Sequence, residues 1–146
     1  GNTNTRNLMR RYIEDFIKVL IRKKVLKSIK KVVYKGHIPS LNDLYGSKHW
    51  TSRHKAAEAY HLAFKILLKQ HIGAPNKNDN KFSLFIFFNS RHDTDNIVGI
   101  EKYFTDMLVR EGYVSTDNKS YFRSLLIAPD ETLKKNTVEF IFATHI

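Results

Sequence analysis

The stretch "KFSLFIFFN", residues 81–89, is apolar almost throughout and rich in β-favouring side chains. A strand with one wet face alternates apolar and polar residues, and this one does not. It therefore reads as a central strand buried on both faces, with other elements covering it above and below.

The rest of the chain supplies that cover. Leu8, Tyr12, Ile13, Phe16, Ile17, Val19 and Leu20 recur at helical spacing, which predicts an amphipathic helix from about Arg6 to Lys27. "IKKVVYKGHIPS" reads as a strand stopped by Gly36 and Pro39, and "LNDLYGSKHWTS" as a loop. "RHKAAEAYHLAFKILLKQH" places Ala56, Ala59, Tyr60, Ala63, Phe64, Leu67 and Leu68 on one face, with Thr51 or Ser52 as its N-cap. After the central strand, "NIVGIEKYFTDMLVREG" forms a helix with Ile97, Ile100, Phe104, Met107 and Leu108 on its stripe. Gly112 is its C′-type stop. "SYFRSLLIA" and "NTVEFIFATHI" are two strands joined by "PDETLKKN". The order is helix, strand, helix, strand, helix, strand, strand, with no internal repeat.

The chain's 146 residues suit one core. Its formal net charge of +11 calls for a polyanionic partner, nucleic acid before an anionic membrane surface. Ten basic residues against Glu14 and Asp15 put +8 of that charge in the first 31 residues. Within them, Arg10, Arg11, Arg22, Lys23 and Lys24 are candidate phosphate contacts. The plainer reading is a solvated face over a packed stripe. The absence of cysteine excludes disulfides, thiolate zinc sites and cysteine nucleophiles. No apolar run approaches the ~20 residues needed to span a bilayer, and "GNTNTRNLMRR" has no signal-peptide core. The expectation is a cytosolic chain with no membrane partner.

Chemistry concentrates where the central strand ends, in "FFNSRHDTDN". Asp93 and Asp95 lie two residues apart, and in extended chain such residues face one side. Two carboxylates held together repel unless a cation or proton sits between them. Asn96 then opens the next helix as its cap. On that helix Lys102 and Asp106 are four apart and so neighbours, and "VSTDNK" offers Asp117 in a later turn. Each feature alone has an ordinary reading: a capping turn, a surface ion pair, a turn aspartate. Together, three carboxylates and a lysine in a basic chain fit a Mg²⁺ site for phosphodiester hydrolysis, with Lys102 at the phosphate. "SKHWTSRHK" groups Lys48, His49, Trp50, Arg53 and Lys55, either as a loop with Trp50 packed on the core or as backbone contacts with a stacking indole. A zinc site from His49, His54 and His61 matches no standard spacing.

The run "HDTDNIVGIEKYFTDMLVREGYVSTD" resembles the signature of RusA-like Holliday junction resolvases, in which a strand leads into Asp-x-Asp-Asn. A helix with a Lys and an Asp-x-Leu segment follows, then a Gly and another acidic turn. "HIPSLNDLYGSKHWTSRHK" is similar to that family's Pro-Ser-x-Asn loop, and the closing pair of strands to its hairpin. The likeness runs from about Val32 to Ile146. It implies an α+β fold, a single domain with a mixed sheet of about four strands, with residues 1–28 as a basic helical extension and 29–146 as the endonuclease domain. It also implies a homodimer that cuts branched DNA, four-way junctions above all, in a prokaryotic or phage-infected cytosol. Mg²⁺ is the implied cofactor, with Mn²⁺ able to stand in. By this likeness Asp93, Asp95 and Asp117 bind the metal and Lys102 is the catalytic lysine. Asn96 and Asp106 support them, and Arg91 and His92 contact phosphate. Thr116, standing where the family often has a second acid, fits a second reading: a relative of the fold that binds nucleic acid or protein without cutting. A third is an RNA or membrane-surface binder acting through the basic helix.

Overall fold

A computed structural model describes residues 8–38, 50–75, 80–91 and 94–146, without the side chains at 50–53 and 94–96. Among these residues the elements run α1 (Leu8–Arg22), β1 (Leu26–Lys35), α2 (Trp50–His71), β2 (Phe82–Asn89), α3 (Thr94–Arg110), β3 (Phe122–Pro129) and β4 (Thr137–His145). The fold is α+β, three helices on one four-stranded mixed sheet. Among the described residues no helix is long and apolar enough to cross a membrane.

Strand β2 lies inside the sheet, whose order is β1-β4-β2-β3, and its residues Phe82 to Phe88 are all buried. It pairs parallel with β3 and antiparallel with β4, which in turn pairs antiparallel with β1. The hairpin expected of the last two strands does not form. β4 is buried from Thr137 to Ala143, on both faces, and takes the other inner position, between β1 and β2. β3, with Arg123, Ser124 and Leu125 exposed, is left at an edge. The link from β3 to β4 crosses the end of β2. Asp130 N–H donates to the Phe88 carbonyl at 2.8 Å and Asn136 N–H to the Asn89 carbonyl at 2.7 Å. β1 forms the opposite edge, where exposed Lys27, Lys30, Lys31 and Lys35 discourage pairing with another chain.

Helices α2 and α3 cover one face of the sheet. Phe64, Leu68, Ile97, Ile100, Phe104 and Leu108 meet Val32, Leu84, Ile86 and Phe140 there. The Phe104 and Phe140 rings stack at 4.1 Å. α3 ends as its sequence predicts. Gly112 takes a φ of 79°, while Tyr113 N–H reaches the Leu108 carbonyl and Gly112 N–H the Val109 carbonyl. α2 begins at Trp50, so Thr51 and Ser52 lie inside the helix rather than capping it.

Helix α1 covers the second face. Ile13 and Ile17 are buried against Leu26, Phe85, Phe87, Ile141 and Ala143, each burial contributing about 1.5–3 kcal/mol. The helix is shorter than its periodicity suggests. Val25 N–H donates to the Leu20 carbonyl and Lys24 N–H to the Ile21 carbonyl, with Lys24 at φ 60°. This is the same closing motif that Gly112 makes, here with a lysine in the left-handed position. It frees Leu26 to begin β1 opposite His145. The expected boundary at 28/29 therefore falls inside a strand, and α1 is part of the core.

Arg10 fastens this second face. Its guanidinium donates to Glu14 at 2.6 Å, Asp130 at 2.8 Å and Glu139 at 2.7 Å, 4.7 Å from the centre of the Phe87 ring. Burial opposes its charge, but the bonds to Glu139, Glu14 and Asp130 outweigh that and raise its pKa further. The residue expected to touch phosphate is thus committed to the fold. Arg10→Ala leaves Asp130 and Glu139 buried without it and should cost about 3–5 kcal/mol in urea unfolding. Burial alone would raise the Asp130 pKa, yet hydrogen bonds from Thr132 and Arg10 hold it below its ordinary value. Its contribution is therefore complete above about pH 4 and lost as pH falls through the lowered value. Urea midpoints measured from neutral to acid pH should drop on that limb, less steeply in Asp130→Asn.

Candidate active-site cleft

Helix α3 starts at Thr94, earlier than the sequence suggests. Asp95 is its second residue and Asn96 its third, so Asp95 is not in extended chain and Asn96 is not the cap. The extended-chain argument for pairing Asp93 with Asp95 does not apply. Asp93 and His92 lie outside the described residues, as do Lys48 and His49. Helical spacing sets up a different relation. Positions 95, 102 and 106 are seven and eleven residues apart and fall on one face of α3, with about 10 Å of helix between Asp95 and Lys102.

The lower part of that face opens into a cleft of about 200 Å³ lined by Glu101, Lys102, Thr105, Asp106, Asp117, Phe122 and Leu125. The turn after Gly112 brings Asp117 back alongside the helix, and Phe122 and Leu125 in the first half of β3 supply the apolar wall. The sequence-predicted Lys102, Asp106 and Asp117 thus share one cleft. Lys102 and Asp117 are exposed. Asp106 does not pair with Lys102 as a surface ion pair. Its Oδ2 lies 3.2 Å from His61 Nε2.

His61, weighed in the sequence only as a zinc ligand, is a buried residue of α2. Arg110 Nη1 lies 3.2 Å from its Nδ1 and Glu58 Oε1 3.5 Å from the same nitrogen. With Arg110 donating to Nδ1, the imidazole carries its proton on Nε2 and donates to Asp106. Its ring meets Tyr103 edge-on at 5.3 Å. The position was readable, since His61, Phe64 and Leu68 are spaced three and four apart on the buried stripe of α2.

Glu101 is a residue missed in the sequence. It is buried at the back of the cleft and accepts a 2.7 Å hydrogen bond from Thr105 Oγ1. Burial pushes its pKa up and Asp106 and Asp117 add to the rise, against Thr105 and Lys102. A carboxyl on the stripe of Ile97, Ile100 and Phe104 was the available signal.

Among the described residues no three His, Asp or Glu side chains gather closely enough to hold a metal ion. Glu101, Asp106 and Asp117 are hard oxygen donors of the kind Mg²⁺ takes with water and phosphate completing its shell. A binding set would have to be completed by Asp93 or Asp95. The expected phosphate contacts divide between the two sides of the sheet. Arg91, just past β2, and Lys55 on α2 are exposed on described backbone, and the Trp50 and Arg53 side chains are not described. Arg11, Arg22, Lys23 and Lys24 are exposed on and just after α1, which covers the opposite face from α3. The sequence matches no protein-family model and none of the curated proteins.

Because burial raises the Glu101 pKa, ionising it costs stability. Its favourable contribution is present at low pH and lost as pH rises from about 4.3 through the raised value. Glu101→Gln keeps an acceptor for Thr105. It should raise the urea midpoint at neutral pH and lose that advantage in acid, whereas a lower midpoint at neutral pH would show Glu101 to be stabilised by its charge.

Proposed function

We propose that the chain is a Mg²⁺-dependent, structure-specific endonuclease that hydrolyses phosphodiester bonds in branched DNA, four-way junctions above all. The observation that carries this reading is Lys102, an exposed lysine that shares its cleft with the carboxylates of Glu101, Asp106 and Asp117 and has no ion pair among the described residues. An ammonium so placed can donate to a non-bridging phosphate oxygen as charge develops on it. Asp117, exposed on the facing turn, would hold the metal together with Asp93 and Asp95, Mn²⁺ being able to replace Mg²⁺. Mg²⁺, when bound, supplies charge that acidifies water and shields the phosphoryl oxygens. Asp106, held by His61, presents a fixed acceptor beside Lys102. Asn96, in the first turn of α3, supports Asp95. In hydrolysis the water oxygen bonds to phosphorus, the bond to the leaving oxygen breaks, and the water's proton ends on that oxygen. Two symmetric cuts in a two-fold junction need two sites, which a homodimer provides.

A second reading, a non-cutting nucleic-acid binder, is favoured by one observation: the exposed basic residues of α1 stand on the sheet face away from the cleft. Binding there would not need the carboxylates.

A cleavage assay on a synthetic four-way junction, with linear duplex as control, separates the two. Symmetric nicks that require Mg²⁺ or Mn²⁺ are expected. Lys102→Ala and Asp117→Asn should each slow cutting at least about 100-fold while junction binding persists. Undiminished cutting by either variant would remove the cleft from the chemistry. Tight binding with no cutting in either metal would leave the binding reading.

A further inference from the structure

Helix α1 has more apolar surface than the sheet covers. Ile13 and Ile17 face the sheet, but Met9, Tyr12 and Phe16, at helical spacing along one flank, are 59%, 61% and 53% exposed. Three large side chains, two of them aromatic, stand in water on a helix that already has its core face satisfied. Around them the charge is one-sided. From Leu8 to Lys35 nine basic side chains are exposed against one exposed acid, Asp15, because Arg10 and Glu14 are engaged with each other and the sheet.

That combination restricts the occupant. A second copy of this chain would bring two strongly positive surfaces together. An anionic membrane would satisfy the charge. However, an interfacial helix buries the centre of its apolar face several ångströms deep, and here that centre, Ile13 and Ile17, is packed on Phe85, Phe87 and Ile141. A partner carrying phosphates and flat apolar groups needs only what projects. Tyr12 and Phe16 are one helical turn apart, about 6 Å along the axis. Arg11, Lys18 and Arg22, spaced seven and four apart, form a basic row roughly 80–120° around the helix from Tyr12.

We infer that the outer flank of α1 is a binding site for single-stranded nucleic acid, with unpaired bases stacking on Tyr12 and Phe16 and the backbone on this basic row. Stacking on an aromatic ring tolerates any base, so the site selects single strands over duplex rather than one sequence. The site lies across the sheet from the Lys102 cleft and stands whether or not the cleft cuts.

The test is fluorescence anisotropy with a labelled oligothymidylate strand, the same strand in duplex, and vesicles of phosphatidylserine and phosphatidylcholine as competitor. Tyr12→Ala and Phe16→Ala should each weaken single-strand binding about tenfold, and the double variant about 100-fold. The urea midpoint should stay unchanged, since both rings are exposed. Three results would overturn the inference: unaltered strand binding by the double variant, displacement of the strand by vesicles whose own binding needs Tyr12 and Phe16, or a double variant that changes only the sedimentation of the protein.

Discussion

A strand with no polar face cannot lie at the edge of a sheet or against water. β2 is such a strand, and most of the architecture follows from burying it. It needs a neighbour on each side, which β3 and β4 provide, and cover on both faces. α2 and α3 supply one cover and α1 the other. β4, nearly as apolar, takes the second inner place. The outer places go to β1, with its lysines, and to β3, with Arg123 and Ser124. Polar groups at the edges and apolar ones at the centre give a sheet that buries its core and resists edge-to-edge pairing.

Covering β2 twice also gives the molecule two separate candidate surfaces, one on each side of the sheet. On one side, α3 carries Lys102 and Asp106 past the turn that holds Asp117, with Glu101 beneath them and His61 fixing Asp106 from α2. On the other, α1 presents basic and aromatic side chains outward because its inner side is fastened by Ile13, Ile17 and Arg10. The Arg10 bridge to Asp130 and Glu139 is what makes the helix part of the domain. An uncovered β2 would expose Phe85 and Phe87, so the basic surface and the stability of the sheet are linked through one helix.

Much of this was readable from local pattern. β2 declared its central position through its composition, Gly112 its role through its place after an apolar stripe, and α2 and α3 their faces through spacing; on α1 the spacing picks out the buried Ile13 and Ile17 but also Leu8, Tyr12 and Phe16, which are exposed. What local pattern could not supply was pairing at long range. Whether β4 folds back on β3 or crosses β2 depends on which strand most needs two neighbours, a comparison among strands rather than a property of one. Arg10 reads as one more member of a basic run, because its partners are 120 and 129 residues away. Glu101 and His61 sit on apolar stripes, where a polar residue is easily taken for an irregularity in the pattern. Asp95 was placed in extended chain because an Asp-Thr-Asp-Asn turn and a first helical turn look alike in sequence. Lys102, Asp106 and Asp117 stand out in the sequence by their chemistry, and the three line one cleft.

The central claim is that the carboxylates at the start of α3 and at the turn after it act on one cation beside Lys102. Titrating the protein with substoichiometric Mn²⁺ while recording amide NMR spectra tests this most directly, since the paramagnetic ion broadens the amides nearest to it. The account predicts that Asp95, Asn96, Lys102 and Asp117 lose intensity together, and that Mg²⁺ restores them. Broadening confined to one end of α3, or spread over the surface with no preference for this cleft, would contradict it.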